Sequence, residues 1–348
     1  MKDYSFTSLL KNRNWATEYA KPVTFDTADK KILLELAINS RIPLSKLSKK
    51  ISLNRDTIKY RIERLIKAGA IQGFSAVINY SALGYKGYSV LLKITNMFKD
   101  FEDALEKFFI EDPEILKVHK VSGSWDIYMD IICKSENDFK EKISGLKNLC
   151  GGHLQDFEVL TIFEELDAHH IPASFFGQDI GKIPYPFGRV SQVPEIIYAD
   201  KKDIQIIKIL SKNARTTTVK IAESIMLSPD AIHNRIKRLS KNNVLKGYYL
   251  VFDPTSIKNN VYLVFVELKG HTEKREQEFK QALLNQPQID DLFKIGYRYD
   301  YLFYMQAENP SEFNNTLMHI RTKFSDIIKD LIVLSELKEY KYTEFPSQ

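Results

Sequence analysis

Two short basic stretches carry the residues of this sequence that are best suited to binding a polyanion. Residues 53–65 read LNRDTIKYRIERL and residues 227–239 read LSPDAIHNRIKRL, so the frame L-x-x-D-x-I-x-x-R-I-x-R-L occurs twice. Arginine and asparagine pair with guanine and adenine edges, and lysine and arginine bind phosphates. The two stretches therefore predict two nucleic-acid-binding surfaces, one in each half of the chain.

Positive charge is concentrated around these stretches. Residues 29–73 hold 11 Lys and Arg against 4 Asp and Glu, a net charge of +7. Residues 203–247 hold 9 against 3, a net charge of +6, and the whole chain carries only +5. Two compact basic segments on an acidic body favour two polyanion-binding surfaces over the alternative, solvated helix faces.

The chain is an internal repeat with a spacing of 174 residues. Across 29–79 and 203–253, 17 of 51 positions are identical without a gap. The frame continues with fewer identities, from the pair Tyr88 and Tyr262 to the pair Val159 and Val333. The sequence therefore consists of two copies of one two-part unit.

The first part of each unit has the pattern of three helices followed by a strand. In the first copy we expect helices after Asp29, at about 44–50 and at about 55–67. Asn54 is placed to cap the third helix, and in the second copy Ser228 caps it with Pro229 at the first helical position. Three helices, a tight turn and a following strand predict a winged helix-turn-helix.

On the third helix, Ile58, Ile62 and Leu65 share one face and must be core. Its leading end would meet base edges, and Arg61 and Arg235 suit phosphates. A solvated surface charge remains the alternative for any single residue. The predicted DNA-binding residues are Asn54, Arg55, Thr57, Lys59, Tyr60, Arg61 and Arg64 in the first copy, and Ser228, Ala231, His233, Asn234, Arg235, Lys237 and Arg238 in the second.

The second part of each unit alternates strands and helices in the order β-α-β-β-α-β, which predicts a ferredoxin-like sandwich. The free face of its sheet must be buried, and the same face of the other copy is the obvious cover. The predicted fold class is α+β, an internal pseudo-dimer of two winged helix-turn-helix and two ferredoxin-like domains. The sequence has no glycine-rich phosphate loop and no HExxH motif, so we expect no enzyme, no cofactor and no metal.

These patterns divide the chain into seven segments. We expect an N-terminal extension, two helix-turn-helix domains each followed by a ferredoxin-like domain, a Pro- and aromatic-containing linker between the units, and a tail. In chain order the predicted bounds are 1–24, 25–80, 81–165, 166–198, 199–254, 255–341 and 342–348. The absence of an 18-residue apolar run and of a signal-peptide pattern predicts a cytoplasmic protein without a membrane span.

Residues 25–74 and 200–248 resemble the Lrp/AsnC family of transcription regulators. The resemblance is carried by an aspartate before the first helix, N-x-R after it and R-I-x-R-L in the third helix. The resemblance implies binding of double-stranded DNA and homo-oligomers paired through the ferredoxin-like domains, which that family calls RAM domains. It also implies an amino-acid-type effector near the V-S-G-S-W-D turn. The implied effector residues are Gly123, Ser124, Trp125, Asp126, Tyr299 and Asp300.

This sequence departs from the family pattern in two ways. Family members usually carry one unit per chain, whereas two are fused here. In the second copy the turn reads IGYRYD, and Tyr297 stands where the first copy has Gly123. A glycine there can adopt positive φ or admit a ligand close to the backbone. Turn capping and strand packing are the alternative roles for Trp125, Asp126, Tyr299 and Asp300.

Two other functions stay open at this point. Siroheme decarboxylases resemble this chain in architecture and length, but the stretches that would correspond to their substrate-handling wing, 71–87 and 245–260, contain no histidine or arginine. An architectural DNA-binding protein without an effector would carry the same two basic helices. A sequence-specific regulator is the function that the residues favour.

Overall fold

A computed structural model describes residues 23–168, 171–177 and 196–346. Most of the predicted N-terminal extension and linker, and the end of the tail, lie outside these ranges. Each unit begins with three helices and a strand. These elements are α1 (Thr27–Ile38), α2 (Leu44–Ile51), α3 (Arg55–Lys67) and β1 (Ile71–Ile78) in the first unit, and α7 (Lys201–Lys212), α8 (Thr218–Ile225), α9 (Pro229–Lys241) and β6 (Leu245–Phe252) in the second.

Local sequence explains where these helices begin. Asp26 and Asp29 form a reciprocal capping box at the start of α1, and Asp200 and Asp203 repeat it at the start of α7. The side chain of Asn54 accepts the hydrogen bond that caps α3. The predicted core face of α3 is fully buried, which seats the helix with its polar side outward.

The second part of each unit has the predicted order of strands and helices. In the first unit these are β2 (Lys86–Ile94), α4 (Lys99–Glu111), β3 (Ile115–Ser122), β4 (Ile127–Cys133), α5 (Glu136–Cys150) and β5 (Leu154–Ala168). In the second they are β7 (Asn260–Leu268), α10 (Glu273–Leu284), β8 (Ile289–Gly296), β9 (Tyr301–Ala307), α11 (Pro310–Lys323) and β10 (Ile328–Tyr342). The predicted fold class is therefore confirmed.

The two ferredoxin-like domains join by their edges as well as by their faces. Strands β5 and β10 are each 15 residues long, and each pairs first within its own unit and then with the other. Strand β5 pairs with β2 up to Thr161 and then with β8, and β10 pairs with β7 up to Ser335 and then with β3. The result is a closed barrel in the order β10-β3-β4-β2-β5-β8-β9-β7. The sequence indicated shorter strands and did not predict these crossings.

Side chains from both units fill the barrel. Its interior cluster includes Leu91, Trp125 and Tyr128 from the first unit and Phe265 and Tyr299 from the second, all buried. The helices pack on the outer faces of the sheets over two separate clusters. The sequence predicted burial of one sheet face against the other copy, and this burial stabilises the pseudo-dimer together with the edge pairing of the strands.

The helix-turn-helix domains are joined by a separate two-stranded sheet. Strand β1 pairs antiparallel with β6, with Ser75 opposite Tyr249. The strand that follows each third helix is therefore used to pair the two domains. A four-residue helix in the linker, α6 (Ala173–Phe176), packs on the first domain, where Lys30 Nζ donates a 2.7 Å hydrogen bond to Phe175 O.

Candidate nucleic-acid interface

The outward face of α3 carries polar and aromatic side chains. Arg55 and Tyr60 are exposed, and Tyr60 presents 67% of its surface, more than any other aromatic side chain of the first helix-turn-helix domain. Lys59 lies 3.5 Å from Glu63 across one helical turn. The exposed Tyr60 presents an aromatic ring and a hydroxyl beside cationic side chains, which makes this face a candidate contact surface.

The outward face of α9 has different residues at the same places. His233, Asn234 and Lys237 are exposed and occupy the positions of Lys59, Tyr60 and Glu63. The second face is therefore richer in hydrogen-bond donors and lacks the acidic group of the first. The two helices present similar backbones with different side chains.

The side chains of the two capping residues accept hydrogen bonds from the helices that they begin. Asn54 Oδ1 accepts a 2.7 Å hydrogen bond from Thr57 N, and Ser228 Oγ accepts one of 3.2 Å from Ala231 N. Because these caps fix the first turn, they position the leading end of each helix. Contact of these four residues with DNA stays a prediction.

Arg61 and Arg64, predicted to contact DNA, hold the first domain together. Arg61 Nη1 donates to both Asp26, at 2.8 Å, and Asp29, at 2.9 Å, and Arg64 Nη2 donates to Asp29. Asp29 is only 1% exposed, so its charge requires these partners. The Asp29 backbone N–H and the Arg61 guanidinium lower the pKa of Asp26, and the hydrogen bonds to Asp26 and Asp29 raise the pKa of Arg61.

The second domain repeats this cluster at the positions shifted by 174. Arg235 Nη1 donates to Asp200 at 2.7 Å and to Asp203 at 2.8 Å, and Arg238 Nη2 donates to Asp203, which is fully buried. The side chain of Arg238 is still 52% exposed, against 25% for Arg235. The arginines thus pair with an aspartate in the first turn of the first helix, Asp29 in α1 and Asp203 in α7, in each copy. Phosphate contact by these arginines stays a prediction.

Two arginines that the sequence did not single out fix the domains relative to each other. Arg41 Nη1 donates to Thr216 O at 2.8 Å, and Arg215 Nη1 donates to Ser40 O at 2.6 Å. Each guanidinium also lies over an aromatic ring of the other copy, Tyr248 for Arg41 and Phe74 for Arg215. The repeated N-x-R motif contains both arginines, but a motif in one copy does not reveal a contact with the other copy.

The predicted effector residues serve the barrel. Trp125 and Tyr299 are buried in its interior cluster. Asp126 Oδ2 accepts a 2.8 Å hydrogen bond from Ile94 N, and Asp300 Oδ2 accepts one of 2.7 Å from Leu268 N. Ser124 is exposed at the turn. Effector binding by these residues stays a prediction, and turn capping and core packing are their roles in the fold.

The displaced glycine of the second copy has a structural explanation. Gly123 has φ +137°, and a Cβ there would lie 2.8 Å from Val333 O. Gly296 instead faces the Phe163 ring, which a Cβ would meet at 2.3 Å. Tyr297 takes the positive φ of 83° with its side chain in solvent. Each glycine therefore allows close contact with a crossing strand, β10 in one case and β5 in the other.

Two helix-turn-helix domains paired beside a barrel of two ferredoxin-like domains define a class of two-unit helix-turn-helix proteins. The chain belongs to the Lrp/AsnC family, in a form that carries two units. A model of the AsnC-type helix-turn-helix domain matches residues 25–66 and again 200–240. No helix in the described ranges is both long enough and apolar enough to cross a membrane.

Relatives of the chain match one unit at a time. The HTH-type transcriptional regulator FL11 of Pyrococcus furiosus is 32% identical over 133 residues, which is 37% of this chain and 85% of the relative. The transcriptional regulatory protein DoeX of Halomonas elongata is 31% identical over 109 residues, 31% of this chain and 69% of DoeX. Both are named as regulators.

The whole two-unit fold resembles that of an enzyme. The crystal structure of the siroheme decarboxylase NirDL superposes with a TM-score of 0.62 over 92% of this chain and 94% of NirDL. The two sequences are 13% identical, so the likeness concerns the fold. The arrangement of two fused units in one chain is thus an architecture that this protein shares with NirDL.

Proposed function

We propose that this protein is a sequence-specific double-stranded DNA-binding transcriptional regulator of Lrp/AsnC type, in which one chain supplies both DNA-reading helices. The observation that carries the proposal is the pair of helices α3 and α9. Each helix is capped at its N-terminal end, buries its apolar face in the domain core and presents polar side chains on its outward face. The domains that carry them have net charges of +7 and +6 over 29–73 and 203–247.

The arginine–aspartate clusters separate the residues that position these helices from those that are available to contact DNA. Arg61 and Arg235 are largely committed to the buried aspartates, so they position the helix. The side chains that remain for DNA are the half-buried Lys59 and the exposed Arg55, Tyr60 and Lys67 on α3, and the exposed His233, Asn234, Lys237 and Lys241 on α9. These types suit base edges near the leading end and phosphates farther along.

The two faces favour a site with unequal halves. Tyr60 and Glu63 of α3 stand where α9 has Asn234 and Lys237. Asparagine pairs with adenine, whereas tyrosine offers an aromatic face and one hydroxyl, so the base preferences must differ. Fusion of two units in one chain pairs two different helices, whereas a homodimer pairs two identical ones.

Selection of bound sequences from random duplex DNA tests the proposal. We expect one enriched motif with two non-identical halves separated by about one helical turn or a multiple of it. Affinity for that motif should fall by roughly 10²-fold or more between about 50 and 200 mM salt, because phosphate contacts release counterions. Absence of enrichment, together with an affinity that does not change with salt, would exclude DNA as the ligand.

An amino-acid-type effector and homo-oligomers belong to the same proposal. Because Trp125 and Tyr299 are buried, an effector at the turn would meet exposed groups such as Ser124. A scan of the twenty amino acids for a shift in DNA affinity or in oligomer mass tests both. An unchanged affinity and mass with every amino acid would leave an effector-independent DNA-binding protein.

The fold of NirDL supports a second candidate, a tetrapyrrole decarboxylase. Mixing the protein with siroheme separates the two functions. A shifted Soret band with loss of carboxyl groups from the tetrapyrrole would favour the enzyme. An unchanged spectrum, with tight binding to the selected DNA, is the result that we expect.

A further inference from the structure

One buried histidine lies at the seam where the two units join. His119 on β3 is only 4% exposed, and neither ring nitrogen makes a hydrogen bond of good geometry among the described residues. Glu336 Oε1 on β10 lies 3.3 Å from His119 Nδ1, and Glu339 on β10 is directly opposite His119 in the strand pairing. One ligand atom from each of these three side chains falls within 4.8 Å of the others.

A bulge in β10 produces this convergence. Residues three apart on a regular strand point to opposite faces of the sheet, so Glu336 and Glu339 should diverge. Glu336 pairs with Val121 and Lys338 pairs with Lys120, so the register of β10 against β3 shifts by one residue between them. The extra residue, Leu337, turns Glu336 and Glu339 to the same side as His119.

We propose that His119, Glu336 and Glu339 form a binding site for one divalent first-row transition metal ion, which would tie β3 of the first unit to β10 of the second. Imidazole and carboxylate ligands suit Zn²⁺, Fe²⁺ and Mn²⁺. Bonds of about 2.0–2.1 Å in a tetrahedron place neighbouring ligand atoms about 3.3 Å apart, which matches the His119–Glu336 distance. Three protein ligands leave one coordination position for water or a small molecule.

Several charged and aromatic groups surround His119 and affect whether it can bind a metal ion. Burial alone would lower the pKa of His119, but Glu336 and Glu339 outweigh it and the pKa is raised. Lys117, buried on the same strand, opposes the carboxylates, and the rings of Tyr128 and Tyr304 lie 6.0 and 6.5 Å from the His119 ring. A metal ion is bound by the neutral imidazole and by ionised carboxylates, so protons compete with it at this site.

The other seam serves as an internal comparison. A shift of 174 places Phe293, Ile162 and Glu165 where the first seam has His119, Glu336 and Glu339. Phenylalanine and isoleucine supply no ligand atom, so the repeat should carry one site per chain. Among the described residues, His119, Glu336 and Glu339 are the one set of three potential ligands that lie this close together.

Titration of the full-length chain with Zn²⁺ by calorimetry, and with Co²⁺ by visible absorption, tests the site. We expect one equivalent bound and an affinity that decreases as the pH falls, because the ligands bind the ion in their deprotonated forms. His119→Gln should weaken binding by at least about 100-fold, since loss of a supporting group alone costs 10–100-fold. Glu339→Gln should weaken metal binding as well, and this variant provides the test if His119→Gln does not fold.

Two control variants separate this site from adventitious ones. His271→Gln removes an exposed histidine that lies 3.0 Å from Glu276 but belongs to no set of three close potential ligands among the described residues. His169→Gln with His170→Gln removes the adjacent pair of the linker sequence. Both should bind one equivalent like the wild type. No bound metal in the wild type, or one equivalent retained in both His119→Gln and Glu339→Gln, would overturn the proposal.

Discussion

Arg41 and Arg215 reach into each other's helix-turn-helix domain across the pseudo-two-fold relation of the repeat. Each donates from Nη1 to a backbone carbonyl next to the other arginine, at Thr216 O and Ser40 O. Burial lowers the pKa of Arg215 to about 10, which still leaves it charged at neutral pH. This reciprocal contact and the pairing of β1 with β6 fix how the two candidate reading helices are presented.

Arg215→Ala should therefore loosen the pair of helix-turn-helix domains. We expect a loss of about 2–3 kcal/mol in the free energy of unfolding, because a carbonyl and an aromatic face lose a buried cation. Urea denaturation measures it, with Lys212→Ala, an exposed lysine of the same region, as control. Equal stability of the two variants would contradict a structural role for Arg215.

Arg61→Ala should mainly reduce stability, whereas Arg55→Ala should mainly reduce DNA affinity. The first leaves the buried Asp29 with a missing partner and should cost about 2–3 kcal/mol in stability. Arg55 is exposed, so its removal should change stability by less than about 0.5 kcal/mol and weaken DNA binding. Chemical denaturation and DNA affinity at fixed salt are measured on both variants. If Arg61→Ala unfolded like the wild type, the ion-pair cluster would not be stabilising.

Tyr60→Ala and Asn234→Ala should alter specificity at different half-sites. Each lost base contact should cost about 1–3 kcal/mol of discrimination, and only in the half that its helix reads. Repeating the DNA selection with each variant identifies the affected positions. Lys107→Ala, on an exposed outer helix of the barrel, is the control and should leave the motif unchanged. Changes at the same base positions in both variants would contradict two separate readers.

Gly123→Ala should destabilise the barrel. The new Cβ would lie 2.8 Å from Val333 O at a φ of +137°, which both crowds β10 and strains the backbone. We expect a loss of about 2–3 kcal/mol in unfolding free energy. Gly152→Ala is the matched control, because a Cβ there meets nothing within 4 Å. Similar denaturation midpoints for the two variants would show that the close approach is not maintained.

Glu276 should give the protein part of its acid sensitivity. Burial would raise its pKa, but hydrogen bonds from Lys294, His271 and Tyr301 lower it from 4.5 to about 2. A carboxyl with a lowered pKa stabilises the fold fully above its unfolded value and loses that effect as the pH falls. The stability difference between wild type and Glu276→Gln should thus be largest above pH 4.5 and vanish near pH 2.

Thermal melting across this pH range measures that difference. Glu278→Gln is the control, because Glu278 makes an exposed pair with Arg275 and should contribute little at any pH. A difference that stayed constant from pH 7 to pH 2 would mean that the Glu276 contacts do not depend on its charge.

The sequence by itself determined the repeated unit, the order of its elements and the outward face of α3 and α9. These follow from local causes: capping residues such as Asn54 and Ser228, the apolar spacing of Ile58, Ile62 and Leu65, and strands marked by alternation. Because such signals act over a few residues, they can be recognised without knowing the fold.

Only the tertiary structure decided which side chains meet. The partnership of Arg61 with Asp29, the reciprocal reach of Arg41 and Arg215, and the crossing of β5 and β10 join residues far apart in the chain. The convergence of His119 with Glu336 and Glu339 depends on a single bulged residue that reverses the strand alternation. Periodicity describes one element at a time, so contacts that depend on how two elements are registered against each other are fixed only when the chain packs.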